Sequence, residues 1–409
     1  MPSVPNEEDR KPAVPRLDGI DILRGLSILA VILLHTLIRF AGLHVRIGWD
    51  WPQYTRHFVF QNGGNGVTTF FAVSGFLITL TSLRRFGSLD AIRPGAFYRI
   101  RFARIMPLLL LMLLVLSVLH LLRVDGYIIN EKFFTLPRAL FAALTFHLNW
   151  LEASRNAWLP ACWTVLWSLS IEEMFYLFFP LISLVLFRGG RAGRRAWIAL
   201  TLTLFALGPF ARVVWAKNDL QAENSYLAGM ASIALGCLTA YVVDRLSHRP
   251  MRTAWLRVVE IAGWAGIQLI AIWPRWPIMR PLGRSGTDDA LLALSVCLVM
   301  AAVTLRRKRG SRWSAPLRWF GRHSYELYLS HEFIIIAGVA LYARFYPHHA
   351  TRGIVAAFVV GMLLATAPLA WALARWFTEP ANRALRGAEM AKSTPTESTS
   401  AEKEVFATN

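Results

Sequence analysis

Apolar blocks of about 20 residues recur along most of this chain, and that is the length an α-helix needs to cross the hydrocarbon of a bilayer. Ten such blocks run over Ile20–Gly42, Gly64–Leu83, Arg104–Leu122, Trp163–Phe187, Ala196–Ala216, Tyr226–Val243, Ala254–Trp273, Asp288–Leu305, Trp319–Phe345 and Ile354–Phe377. An eleventh stretch, Ala139–Leu151, is too short to span and suits a re-entrant or interfacial segment. The fold class this implies is all-α: a polytopic transmembrane bundle of about ten membrane-spanning helices plus that short segment. Composition agrees, with 55% hydrophobic and only 17% charged residues, against about 25% in a soluble domain.

The formal net charge of +19 would suit a nucleic-acid partner if the basic residues shared a surface. They fall instead between the apolar blocks, so membrane orientation accounts for them and no nucleic-acid partner is expected. With the N-terminus inside, the cytoplasmic loops hold Arg84, Arg85, Arg93, Arg99, Arg188, Arg191, Arg194, Arg195, Arg245, Arg249, Arg252 and the run from Arg306 to Arg318. The opposite loops hold a scatter, such as Arg46, Arg56, Lys132, Arg138 and Arg155. Counting the short segment as a span would invert every later loop, so the bias selects ten spans with both termini cytoplasmic. The expected division is a cytoplasmic tail at 1–18, a transmembrane domain at 19–384 and a disordered cytoplasmic tail at 385–409. No cleavable signal peptide is expected, because the first apolar block is too long for one.

Cys162, Cys237 and Cys297 are odd in number and lack CxxC spacing, so neither a disulfide framework nor a metal site is expected. No internal repeat is visible, and paired broken helices of the transporter kind are not found.

Ionisable residues at membrane depth are costly, so each needs a partner or a purpose. In the first block Arg24 and His35 are eleven residues apart, about 20° past three full turns, and share a face about 16 Å apart along the axis. A snorkelling arginine and a packed histidine would also fit; Asp21, one turn before Arg24, is a candidate partner. Arg101 and Arg104 lie one turn apart at the inner boundary. Topology alone could place them, yet arginine forks suit phosphate. Glu172 and Glu173 fall near mid-membrane and point about 100° apart, so only one is expected to face a given cavity. His331 and Glu332 lie at similar depth. The Ser74-Gly75 pair is read as a close-packing element.

Five ordered segments carry a resemblance: DILRG at Asp21–Gly25 with His35, FFAVSGFLIT at Phe70–Thr79, YRIRFARIMP at Tyr98–Pro107, WSLSIEEMFYLFFP at Trp167–Pro180 and SYELYLSH at Ser324–His331. Together they resemble the acyltransferase-3 family of bacterial membrane O-acyltransferases. Two positions depart from its usual pattern: Thr68, where the family often has an acidic residue, and Glu332-Phe333, where an apolar residue and proline commonly follow the histidine. Some relatives carry a further extracytoplasmic domain, for which no room is expected after Phe377.

The resemblance implies a bacterial inner-membrane enzyme. It would move an acyl group, most often acetyl, from cytoplasmic acyl-CoA to a hydroxyl of a saccharide or glycosylated acceptor. It maps the Arg-x10-His motif onto Arg24 and His35, Arg-x-x-Arg onto Arg101 and Arg104, and the WSLxxE carboxylate onto Glu172. Acyl-CoA is then a co-substrate, with no permanently bound cofactor. Arg101, Arg104 and Arg24 would hold and guide it, His35 would act as general base, and Glu172 would orient the imidazole or the acceptor. Asp21, Glu173 and His331 are secondary candidates. Expected partners are membrane lipids, acyl-CoA and the acceptor; the acceptor's identity and the oligomeric state stay open. The competing readings are a proton-coupled transporter, whose relay would use the same buried His, Glu and Arg residues, and a non-catalytic scaffold.

Overall fold

The computed structural model describes residues 17–48, 51–272, 286–307, 309–346 and 351–387. Most of both expected tails, at 1–16 and 388–409, lies outside the described residues. The helices are α1 (Asp18–Gly42), α2 (Gln53–Phe60), α3 (Gly63–Phe86), α4 (Pro94–Leu121), α5 (Leu136–Leu144), α6 (Leu148–Arg155), α7 (Leu166–Arg188) and α8 (Gly190–Phe210). They continue as α9 (Asp219–Glu223), α10 (Tyr226–Leu246), α11 (Thr253–Ile272), α12 (Thr287–Leu305), α13 (Ala315–Arg322), α14 (Ser324–Phe345), α15 (Arg352–Leu373) and α16 (Glu379–Gly387). No strand occurs among the described residues. Among the described residues ten helices are long and apolar enough to span: α1, α3, α4, α7, α8, α10, α11, α12, α14 and α15, some lengthened by flanking turns. This is the expected polytopic bundle. An even number of spans returns the chain to the face it started from, called here the terminal face. The opposite one is the loop face.

Apolar side chains point both ways, as a bilayer solvent requires. Leu108, Leu109 and Leu116 of α4 are fully buried, while Leu110, Leu114 and Leu121 of the same helix face outward. Such outward leucines find hydrocarbon rather than water.

Helix crossings are set by small residues. A Cβ on Gly75 of α3 would overlap the Ile233 carbonyl of α10, and one on Gly236 of α10 would overlap the Ala72 carbonyl of α3. The two backbones therefore touch, as small residues permit in membranes. The same device joins α1 to α13. A Cβ on Gly25 would overlap the Leu317 carbonyl, and one on Gly321 would overlap the Asp21 carbonyl.

Three boundaries differ from expectation. The block at Trp319–Phe345 is two helices, broken at His323. The first, α13, carries Arg318 and Arg322 and packs on α1, so charge keeps it out of the apolar span. Second, α4 begins at Pro94 rather than Arg104, with proline at the first helical turn where it is favoured. Pro107 thus lies well inside a helix, not in its first turns. Third, the short segment is a pair, α5 and α6, separated by Thr145–His147 with Phe146 at φ 56°. This hairpin reaches into the bundle. The Phe146 carbonyl accepts from Tyr226 Oη at 2.8 Å, and the Leu148 amide donates to Ser170 Oγ of α7 at 3.3 Å.

Candidate active site

Arg24 sits at the centre of the terminal-face half. Its Nη2 donates to Ser324 Oγ at the start of α14 at 2.8 Å, and its Nη1 lies 4.0 Å from Asp21, the expected partner. The α1–α13 contact brings Ser324 there, because Gly25 and Gly321 let the two backbones meet. Arg24 and Arg104 both line two adjoining spaces. One is a chamber of about 580 Å³ toward the terminal face, whose wall also carries Asp21, Arg84, Arg322, Glu326 and Arg386. The other is a deeper cavity of about 130 Å³, walled by Ser74, Arg101, Glu172, Tyr176, Tyr325 and Tyr328 among others. Five arginines around the chamber against three carboxylates, Asp21, Glu326 and Glu379, leave an excess of positive charge there.

The two glutamates of α7 part as their 100° offset predicts. Glu172 faces the deeper cavity, whose wall also carries Ser74. Glu173 lies 3.6 Å from Arg101 and lines a separate, mostly apolar space beside Phe102, Met106 and Phe146. Arg101 is held from two sides, with its guanidinium 3.7 Å from the centre of the Tyr176 ring. Such a cation–π contact is worth about 2 kcal/mol when desolvated. Arg101 and Arg104 thus do different things. Arg101 is tied into the wall by Glu173 and Tyr176, whereas Arg104 lines both spaces.

His35 occupies a different neighbourhood, about two turns from the end of α1. Its Nδ1 lies 3.0 Å from His331 Nε2 of α14, with the rings tilted and 4.9 Å apart. His331 Nδ1 lies 2.9 Å from the Leu327 carbonyl. On the other side, His35 Nε2 is 3.9 Å from Glu332 Oε1. Glu332 is fully buried and takes both hydrogen bonds of the Arg39 fork, at 3.0 and 3.1 Å. The partners of His35 are therefore His331 and Glu332. The expectation that Glu172 orients this imidazole gives way, because α7 directs that carboxylate toward Ser74 and Arg101 instead. His35, His331 and Glu332 also bring donor atoms of metal-ligand type within 4.8 Å of one another. A cation there would have to displace the Arg39 fork and the histidine–histidine bond.

Sequence reasoning missed four participants. Tyr176 and Arg39 each lie four residues beyond a predicted site residue, Glu172 and His35, and so share its helical face. Ser74 was read as packing alone; Gly75 packs, and Ser74 faces the cavity. Glu332 was noted only for its depth and as a departure from a pattern. The departure at Thr68 has a structural counterpart. Thr68 Oγ1 donates to Asp289 of α12 at 3.0 Å, and Asp289 pairs with Arg212 at 2.5 Å. A carboxylate is thus present at that place, supplied by another helix.

The chain is 25% identical over 352 residues to a candidate O-acetyltransferase of Staphylococcus aureus strain COL, covering 80% of this chain and 52% of that one. It is 26% identical over 236 residues to the O-acetyltransferase OatA of Staphylococcus aureus strain NCTC 8325, covering 55% and 34%. The chain therefore spans about half the length, or less, of these curated relatives. No solved structure matches it. The acyltransferase-3 model, described as an acyltransferase domain, matches residues 17–375, nearly all of the bundle, and the chain belongs to that family.

Proposed function

We propose that this protein is an O-acetyltransferase of the bacterial inner membrane. It would take acetyl from acetyl-CoA on the cytoplasmic side and pass it to a hydroxyl of a saccharide or glycosylated acceptor. The observation that carries this reading is the pair of adjoining spaces that share Arg24 and Arg104 in their walls. A wide, positively charged mouth suits the phosphates of a nucleotide thioester, and the narrow inner cavity suits its thin arm. Both termini and the chamber then face the cytoplasm, consistent with the arginine-rich loops on that face.

A hydroxyl is a poor nucleophile until a base takes its proton. In this reading His35 accepts the proton at Nε2 as the hydroxyl oxygen bonds to the thioester carbon. The tetrahedral intermediate then collapses, the C–S bond breaks, and the thiolate of CoA leaves with the proton returned by His35. Glu172, beside Ser74 and Tyr176, orients the arriving group in the inner cavity. No activated serine or cysteine is required, so transfer is direct.

The test is to incubate membranes from cells with and without the chain with acetyl-CoA labelled in its acetyl group. Label should enter a glycan or glycolipid fraction only where the chain is present, and mild base should release it as acetate. Absence of base-labile label in every fraction would refute the proposal.

A further inference from the structure

The hydrogen bonds around His35 define which of its two nitrogens can accept a proton. A carbonyl oxygen only accepts, so the 2.9 Å contact between His331 Nδ1 and the Leu327 carbonyl puts the His331 proton on Nδ1. Neutral His331 then offers a bare Nε2. The atom 3.0 Å from it, His35 Nδ1, must supply the hydrogen. That leaves His35 Nε2 without one. The chain of donors runs from His35 Nδ1 to His331 Nε2, and from His331 Nδ1 to Leu327 O, and it has only this polarity when both rings are neutral. The nitrogen left bare is also the one facing Glu332, 3.9 Å away. Glu332 and His331 are both fully buried.

We infer that His331, Glu332 and Arg39 are positioning residues for proton transfer at His35: His331 fixes the Nδ1–H tautomer, and Glu332, held in the Arg39 fork, is the counter-charge for the imidazolium. The inference rests on the reading of His35 as the base. Arg39 lies one turn after His35 on α1, so its ion pair with Glu332 clamps α14 to α1 beside the ring. During transfer the acceptor's proton moves to His35 Nε2, and the new positive charge forms facing the Glu332 carboxylate. When the proton leaves with the thiol of CoA, the ring returns to the same tautomer, because the His331 bond never broke. The wrong tautomer would present an N–H to the hydroxyl and could not take its proton.

The experiment uses the full chain in lipid nanodiscs. Ring-nitrogen NMR on 15N-histidine protein reads the tautomers directly, with His35→Gln and His331→Gln spectra assigning the two rings. Both should carry hydrogen on Nδ1. A hydrogen on His35 Nε2 in the wild-type chain would overturn the inference without any variant having to fold.

Thiol release from acetyl-CoA by variants at His35, His331 and Glu332, in membranes that retain the endogenous acceptor, gives the second readout. His331→Phe and Glu332→Gln should each lower kcat at least about tenfold while KM for acetyl-CoA stays within about twofold. Glu332→Asp should recover part of the loss. Rates are expressed per folded molecule, counted by size-exclusion chromatography. Inactive His35→Gln beside fully active His331→Phe and Glu332→Gln overturns the inference alone. A folded His35→Gln chain at wild-type rate overturns the reading of His35 as the base, and the inference with it.

Discussion

The terminal-face chamber and the His35 cluster are built on opposite plans. Around the chamber arginines outnumber carboxylates, and among the described residues Arg24 has a 4.0 Å ion pair and one serine hydroxyl. In the cluster the bonds are short and mutual: Arg39 with both oxygens of Glu332, His35 with His331, His331 with Leu327. Excess charge left open to solvent is what a site for a mobile polyanion needs, since the ligand completes the pairing. Fully paired groups suit proton transfer, since the reacting atom must already be placed when substrate arrives. Variants in the two regions should therefore fail differently, in turnover for the cluster and in donor affinity for the chamber.

The largest effect is expected at His35. His35→Gln should lower acetyl transfer by about 100-fold or more, the usual scale for a positioned base. KM for acetyl-CoA should change little. The comparison breaks if the loss is in KM, because His35 would then belong to the binding half.

Arg104→Ala should show the mirror image. It lines both spaces and is not tied into the wall as Arg101 is. Its loss should raise KM for acetyl-CoA about tenfold or more, the scale of a lost charge-assisted bond of about 1.5–3 kcal/mol. Lysine should recover only part, because it keeps the charge but not the planar fork. A kcat defect with unchanged KM would show that the chamber does more than hold the donor.

A smaller effect tests whether the wall of the deeper cavity is as loose as the chamber. Tyr176→Phe keeps the ring under Arg101 and removes only the hydroxyl at Ser74. Tyr176→Leu removes both. Leucine should therefore raise KM for acetyl-CoA several-fold more than phenylalanine does, since the cation–π contact is worth about 2 kcal/mol where it is desolvated. Equal effects would mean that Arg101 is placed by Glu173 alone.

The bundle was legible because its rule is coarse. Length and apolarity of each block fix a span, and the arginine loops favour an even number. The break at His323 was not legible, because the apolar face of α13 reads as a continuation of α14; only the charges at Arg318 and Arg322 marked it off. In the site, Arg24, His35, Arg101, Arg104 and Glu172 were found because a charge or imidazole at membrane depth stands out against apolar neighbours. Which of them meet depends on helix crossings, set by contacts such as Gly25 on Leu317, and these have no signature beyond a small residue. The resemblance left Glu172 to orient either the His35 imidazole or the acceptor, and rotation of α7 turns it toward Ser74 and the inner cavity. Arg39 and Tyr176 could have been found by asking what lies one turn beyond each predicted residue.

The smallest effect is expected at a buried carboxyl that lines neither the chamber nor the His35 cluster, and it shows what a purely structural acid looks like here. Glu152 of α6 is fully buried. It accepts from the Leu159 amide at 3.0 Å, from Thr164 Oγ1 at 3.1 Å and from Asn224 Nδ2 at 3.3 Å. No cation is among these partners, unlike Glu332 with Arg39. Burial pushes the Glu152 carboxyl well above its ordinary 4.5, and the three hydrogen bonds offset only part of that. The folded chain therefore holds a proton that the unfolded chain releases near pH 4.5. Stability from this group is complete below that value and declines as pH rises toward the raised folded value. Glutamine is neutral at every pH, and its carbonyl can still accept from Leu159 and Thr164. Glu152→Gln should match the wild type near pH 4.5 and melt slightly higher at pH 7 to 8, by about 1 kcal/mol. Acetyl transfer per folded molecule should not change. If the difference in melting does not grow with pH, Glu152 is ionised in the fold and needs a cation. If transfer falls while melting holds, the α5–α6 hairpin belongs to the site.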